Sequence, residues 1–181
     1  EDPPSRKTLE ESRMRITSMA LIHEHLYQSE SLAQIPFADY LRSLVYSIAQ
    51  THQAETKAVE VRVDCAPVAL TMEEAIPCGL IVNELVANAF EHAFPGRERG
   101  LVTVHFGLED DDRCVGVVED DGVGLSEGFS LEELRSLGVR LVQSLIAQLD
   151  GELAVAGTDN GVRWTFSFPR EPAEPAPAVA G

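Results

Sequence analysis

Between Asn83 and Phe94 the chain reads N-E-L-V-A-N-A-F-E-H-A-F. Glu84, Asn88 and the Glu91/His92 pair fall at i, i+4 and i+7/i+8, one face of a helix whose other positions carry Ile76, Leu80, Ile81, Leu85, Val86 and Phe90. A polar stripe on an otherwise apolar helix needs partners. Spacing alone allows an exposed helix face. It also allows a ligand pocket, in which the carboxamide oxygen of Asn88 holds a hard metal ion and Glu84 orients a water or a nucleophile. A second group is Glu119-Asp120-Asp121-Gly122-Val123-Gly124, a D-x-G-x-G placed directly after a strand pattern. Its glycines would let the backbone approach a ligand, and a carboxylate at a strand end can accept from an amino group, although a tight turn has the same composition. A third is Ser136-Leu137-Gly138-Val139-Arg140, which opens a helix with glycine in its first turn. Free N–H groups and the positive end of the helix dipole favour phosphate there, unless Gly138 serves only close packing.

Together these parts would let a very acidic protein bind a nucleotide, because Mg²⁺, backbone amides and Arg140 would meet the phosphate charge without a basic surface. The charge balance demands such a solution. Fourteen Lys and Arg stand against thirty Asp and Glu, a net charge of −16, and the lysines are Lys7 and Lys57 alone. Binding to nucleic acid through a broad basic face is thereby excluded. No Walker-type G-x-x-x-x-G-K-[ST] occurs.

The elements that would position these groups follow from periodicity. Length (181 residues) and a hydrophobic fraction of 44% fit one globular domain with a helical attachment. Capping boxes at Thr8/Glu11, Thr71/Glu74 and Ser130/Glu133 mark three helix starts. The first opens a helix to about Ser29, with Ile16, Met19, Ala20, His23, Leu26 and Tyr27 on one stripe. Pro36 restarts the chain, and Phe37, Tyr40, Leu41, Leu44, Val45, Ile48 and Ala49 keep strict amphipathic spacing. Further helices are expected over about Glu73 to Phe94 and Leu137 to Leu149, the latter closed by Gly151 in a left-handed cap. Five segments alternate with period two: Val59/Val61/Val63, Val102/Val104/Phe106, Val115/Val117, Leu153/Val155 and Val162/Trp164/Phe166/Phe168. Glu109 to Asp112 and Asn160-Gly161 read as hairpin turns. Strands in largely antiparallel order with helices between them predict an α+β fold, a layer of helices on one face of a sheet.

Several conspicuous residues take plain readings. Cys65, Cys78 and Cys114 lack metal or disulfide spacing and are expected as buried free thiols. The Glu109 to Asp112 run lacks the alternating ligands of a calcium loop. His52 and His105 have no partners at motif spacing, and Trp164 alternates inward. No run of apolar residues reaches membrane-spanning length and no leader opens the sequence, so a cytoplasmic location is expected, with residues 170–181 a disordered proline-rich tail.

The three motifs, in this order and spacing, resemble the N, G1 and G2 boxes of the ATPase fold shared by sensor histidine kinases, gyrase and Hsp90-type chaperones. Arg15 to Ser29 (R-I-T-S-M-A-L-I-H-E-H-L-Y-Q-S) with Phe37 to Leu44 (F-A-D-Y-L-R-S-L) resembles the second dimerisation helix and its continuation in the sensor histidine kinase subfamily with an H-H-R-x-K-N-N acceptor segment. The resemblance implies a two-layer α/β sandwich of the Bergerat type at residues 36–169, preceded by part of a dimerisation and phosphotransfer helix at 1–35. It implies ATP and Mg²⁺, with Asn88 on the metal, Glu84 on the catalytic face and Asp120 accepting from the adenine amino group. Gly122 and Gly124 would shape the adenine pocket, Leu137, Gly138, Val139 and Arg140 would meet phosphate, and Glu91, His92 and Thr165 would line the nucleotide. Glu91 stands where relatives often carry a phosphate-facing lysine. The acceptor segment is not among these residues, and His23 is read as structural, as is His25. The implied activity is phosphoryl transfer from ATP to a histidine and then to a response-regulator receiver domain, within a homodimer. Alternatives are an adaptor of the same fold that binds no ATP, and a serine kinase or ATPase of that fold.

Overall fold

The computed structural model describes residues 34–53, 58–109, 112–125, 136–158 and 160–170. The expected helix from Thr8 to Ser29 with His23 and His25, the Ser130/Glu133 box and the tail beyond Arg170 lie outside these residues. In chain order the elements are β1 (Ile35–Pro36), α1 (Phe37–Gln53), β2 (Val59–Cys65), β3 (Ala69–Leu70), α2 (Met72–His92), β4 (Gly100–Glu109), β5 (Arg113–Asp120), α3 (Leu137–Gln148), β6 (Glu152–Thr158) and β7 (Gly161–Pro169).

The main sheet runs β2-β4-β5-β7-β6. Its hairpins β4/β5 and β6/β7 join antiparallel neighbours, and β5 meets β7 antiparallel, but β2 and β4 are parallel, with α2 in the crossover between them. A second, two-stranded sheet pairs Ile35 with Leu70 and Pro36 with Ala69. Two-residue strands carry no readable period, so the sequence does not announce them. The result is the expected α+β architecture, with helices on one face of a mixed sheet.

Alternation decides the layers. On β5 the inward residues are Cys114, Gly116, Val118 and Asp120, while Val115 and Val117 turn to the other face. Gly116 is required by its neighbour across the ladder: a side chain there would collide with the ring of Phe166. The α1 stripe from Phe37 to Ala49 is wholly buried. Phe37 sits 4.7 Å from Phe106, ring centroid to centroid, and docks α1 on the sheet. His52 near the end of α1 stacks on Phe90 of α2 at 5.4 Å and 9°, and His105 faces Asp64 across the β2/β4 pair at 3.4 Å. All three cysteines are free and buried.

The helix ends show how the sequence sets the boundaries. Thr71 and Glu74 form both arms of the capping box of α2, Thr71 N–H donating to the Glu74 carboxylate at 2.7 Å and Glu74 N–H to Thr71 Oγ1 at 3.3 Å. At the end of α3, Gly151 N–H reaches the Ile146 carbonyl at 2.9 Å and Asp150 N–H the Ala147 carbonyl at 3.2 Å. The left-handed residue of this cap is Asp150, φ 51°, and not Gly151. Gly151 is needed instead for close approach, since a side chain there would lie 2.5 Å from the Ser167 carbonyl oxygen. Among the described residues no helix is long and apolar enough to cross a membrane.

Candidate functional site

Three elements converge at one end of the helical layer. From α2, Glu84 and Asn88 stand one turn apart; Glu84 is buried and Asn88 half-buried. From α3, Gly138 presents its bare Cα to both: a Cβ there would lie 2.7 Å from Glu84 Oε2 and 4.0 Å from Asn88 Oδ1. Ser136 caps this helix, its Oγ accepting from Val139 N–H at 3.3 Å. The amides of Leu137 and Gly138, in the first turn, have no acceptor within the helix. The exposed-face reading of the α2 stripe therefore fails at Glu84, over which α3 packs, whereas Glu91 and His92 are exposed.

From β5 comes Asp120, 6% exposed at the strand end. Its Oδ1 accepts from Gly122 N–H at 2.9 Å, and the backbone of Val162 donates to the same carboxylate. Burial pushes this carboxyl above its ordinary value; the Gly122 and Val162 amides pull it partly back, and the neighbouring Asp121 and Glu119 charges add to the rise. The glycines of the loop are dictated by contact. A side chain on Gly122 would strike the carbonyl and Cβ of Ala93 and lie 2.7 Å from Asp120 Oδ1, and Gly124 takes a positive φ of 76° with Gly161 against it. Val123 N–H donates to the Ala93 carbonyl at 2.9 Å, tying the loop to the end of α2.

These groups surround a cavity of about 230 Å³. Of the residues singled out in the sequence, Asn88, His92, Asp120, Gly124 and Val139 line it. Glu84, Gly122 and Gly138 are not among its lining residues. Glu91, Leu137 and Arg140 are exposed at the surface, Glu91 3.8 Å from His92. Thr165 is not brought to the cavity: strand alternation turns it to the face opposite Val162 and Trp164, which do line it. Ala89, Ala93, Leu125 and Ser136 complete the wall, residues that lie within or beside the motifs but were given no role of their own. Among the described residues no group of three or more His, Cys, Asp or Glu could hold a metal ion. The oxygens of Glu84 and Asn88, converging on a residue without a side chain, are donors of the type a hard cation takes, and the site fits a magnesium ion in that respect.

Residues 73–172, more than half of the chain, match the family described as histidine kinase-, DNA gyrase B- and HSP90-like ATPase, and the protein belongs to that family. Residues 1–52 match a family described as histidine kinase.

The sensor histidine kinase PdtaS of Mycobacterium tuberculosis is 36% identical over 154 residues, 83% of this chain and 30% of the relative. Blue-light-activated histidine kinase 2 of Erythrobacter litoralis is 31% identical over 135 residues, 75% of this chain and 38% of that protein. The solved histidine kinase domain of the blue-light-activated kinase EL346 from Erythrobacter litoralis superposes with a TM-score of 0.79 at 27% identity, covering 88% of this chain and 75% of that one. The chain thus spans about a third of the length of these curated relatives, and its sheet and helical layer are those of the Bergerat fold.

Proposed function

We propose that this chain is the ATP-binding and catalytic part of a sensor histidine kinase. In this reading it binds Mg-ATP and passes the γ-phosphoryl group to an imidazole, from which an aspartate of a response-regulator receiver domain is charged. The observation that carries the reading is Asp120: a buried carboxylate fixed by two backbone amides, at the wall of an otherwise largely apolar cavity, is the acceptor an exocyclic amino group requires. Gly122 and Gly124 let a flat base lie close to the backbone. Asn88 would hold Mg²⁺ through its carboxamide oxygen, and Glu84, one turn away, would orient the incoming nucleophile. When bound, Mg²⁺ would neutralise the phosphate charge. The amides of Leu137 and Gly138 face the same region from the helix N-terminus, with Val139 beneath, and His92 and Arg140 stand at the mouth. Glu91 would act there only through its pairing with His92. Thr165 has no place in this assignment.

The acceptor imidazole is assigned to a histidine outside these residues, since no H-H-R-x-K-N-N segment occurs among them. The packing of α1 on the sheet supports a division near residue 35, with residues 36–169 forming the catalytic unit and 1–35 belonging to a dimerisation helix. The histidine kinase match at residues 1–52 supports a homodimer and a receiver-domain partner, and a cytoplasmic location accords with the helices described.

The test is incubation with Mg²⁺ and γ-labelled ATP, alone and with an added acceptor helix. Acid-labile, alkali-stable label on the added helix supports the kinase reading; acid-stable label would point to a serine kinase, and label on this chain alone would return His23 and His25 to consideration. One observation favours an adaptor that binds no ATP: among the described residues no Lys or Arg lines the cavity. The absence of any nucleotide-induced rise in melting temperature would establish that alternative.

A further inference from the structure

The carboxylate that faces the cavity is Asp120, and the residue after it is tied to the start of β4 and to the α2–β4 connection. Asp121 is exposed and points away from the site. Its N–H donates to the Leu101 carbonyl at 3.1 Å, and its Oδ1 accepts from Leu101 N–H at 2.7 Å, a reciprocal pair at the start of β4. Its own carbonyl accepts from Arg97 Nη1 at 2.6 Å. Arg97 is in turn held in the α2–β4 connection by its N–H on the Phe94 carbonyl at 3.2 Å.

The β4/β5 ladder runs out at the pair Val102 and Asp120. Strand ends fray where the next rung is missing. The Asp121 side chain supplies that rung, replacing a backbone acceptor with a carboxylate. On the inner side the following residues are fixed just as closely, with Gly122 N–H on Asp120 Oδ1 and Val123 N–H on the Ala93 carbonyl. The backbone from 120 to 123 is therefore clamped from both sides, and the direction of the Asp120 carboxylate depends on both.

We infer that Asp121, through Leu101 and Arg97, is a positioning residue that aims Asp120 and so sets discrimination between adenine and guanine nucleotides. The inference rests on the proposed adenine-binding role of Asp120. An amino group at the recognised edge of the base satisfies a carboxylate acceptor, whereas a carbonyl oxygen at the same place meets it with repulsion. The ratio of the two affinities thus reads the aim of the carboxylate. A residue that merely stabilised the fold would change the active fraction or the melting temperature and leave that ratio alone.

The experiment is calorimetric titration of Mg-ATP and Mg-GTP into the wild-type chain and the D121A, D121N and R97A variants, with melting temperatures recorded for each. D121A removes the acceptor for Leu101 N–H, and loss of one such bond corresponds to a weakening of ATP binding by roughly fivefold. GTP binding is expected within twofold of wild type, so the ATP:GTP preference falls. D121N keeps an oxygen at Oδ1 and is expected to keep the preference, which separates the hydrogen bond from the charge. R97A, losing an exposed contact, is expected to fall between the two. An unchanged ATP:GTP ratio in D121A would overturn the inference, as would a D121A variant without a melting transition, or a loss in D121N as large as in D121A. Failure of the wild type itself to bind ATP would overturn the nucleotide reading, and this inference with it.

Discussion

Replacing Gly138 by alanine adds one methyl group at the point where α3 crosses α2, and the geometry sets two opposing effects on stability. The new Cβ would lie 2.7 Å from Glu84 Oε2 and 3.8 Å from its Cδ. Ordinary contact begins near 3.4 Å, so the Glu84 carboxylate or the start of α3 must move by about 0.7 Å or more. Overpacking of this kind costs about 1–3 kcal/mol. Against it, alanine is favoured over glycine within a helix by about 1 kcal/mol, less in the first turn. The expected net loss is about 1 kcal/mol, a fall in Tm of roughly 3–5 °C for a domain of this size. Binding should suffer far more. The methyl would sit between Glu84, assigned to the nucleophile, and Asn88, assigned to the metal, and beside the amides assigned to phosphate. We expect a loss of Mg-ATP affinity of at least about thirtyfold, or about 2 kcal/mol. Scanning calorimetry and titration calorimetry on the same preparation read the two effects. Gly107→Ala is the control, because its Cβ would meet only the Ala66 methyl at 3.6 Å. Unchanged ATP affinity in Gly138→Ala at a near-normal Tm would refute the phosphate-side assignment; a collapse in Tm with the remaining folded fraction binding normally would show Gly138 to be a packing residue.

Other expectations follow from the same structure. Burial raises the folded-state value of Asp120 above its ordinary 3.8. The folded protein therefore binds that proton more tightly than the unfolded one, and this group's contribution to stability falls as pH rises from about 4 through the raised value. Asp120→Asn lacks the titration, so its Tm relative to wild type should improve as pH rises from about 4 and level off once the raised value is passed; a difference that is flat throughout or shrinks with pH would contradict the assigned shift. Burial also pushes the Cys65 thiol to about 11 and the Cys114 thiol to about 12, and holds Cys78 well above the ordinary range. Iodoacetamide at pH 7.5 should therefore modify no described cysteine in the native protein and all three in urea, as mass spectrometry would show. Thr71→Ala removes one arm of the α2 cap and should lower stability by about 1 kcal/mol in chemical denaturation; a change below about 0.3 kcal/mol would mean that the cap is redundant.

Much of the fold was legible because its signals are periodic. The α1 stripe and all five strands of the main sheet fall where alternation places them, and the Thr71/Glu74 box opens α2. What was not legible depends on long-range partners. No local pattern states that β2 pairs parallel to β4, because a half-buried strand looks the same beside either neighbour. At the end of α3, two adjacent residues could occupy the left-handed position, and the close approach of Ser167 and Phe168 requires the glycine one place later, leaving Asp150 to take it. Thr165 shows motif resemblance leading past the simpler signal: the alternation of Val162, Trp164, Phe166 and Phe168 already places Thr165 on the opposite face. The walls supplied by Ala89, Ala93 and Leu125 are small or ordinary apolar residues, distinguishable from core only once the cavity is formed.

The proposed function stands on Asp120 reading an adenine nucleotide. The most direct measurement is titration of Mg-ATP into the wild-type chain and into Asp120→Asn, with Tm recorded for both. The wild type should bind saturably, and binding should be weaker by about two orders of magnitude or more in a variant that still melts within a few degrees of wild type. Equal affinity in the two proteins would contradict it.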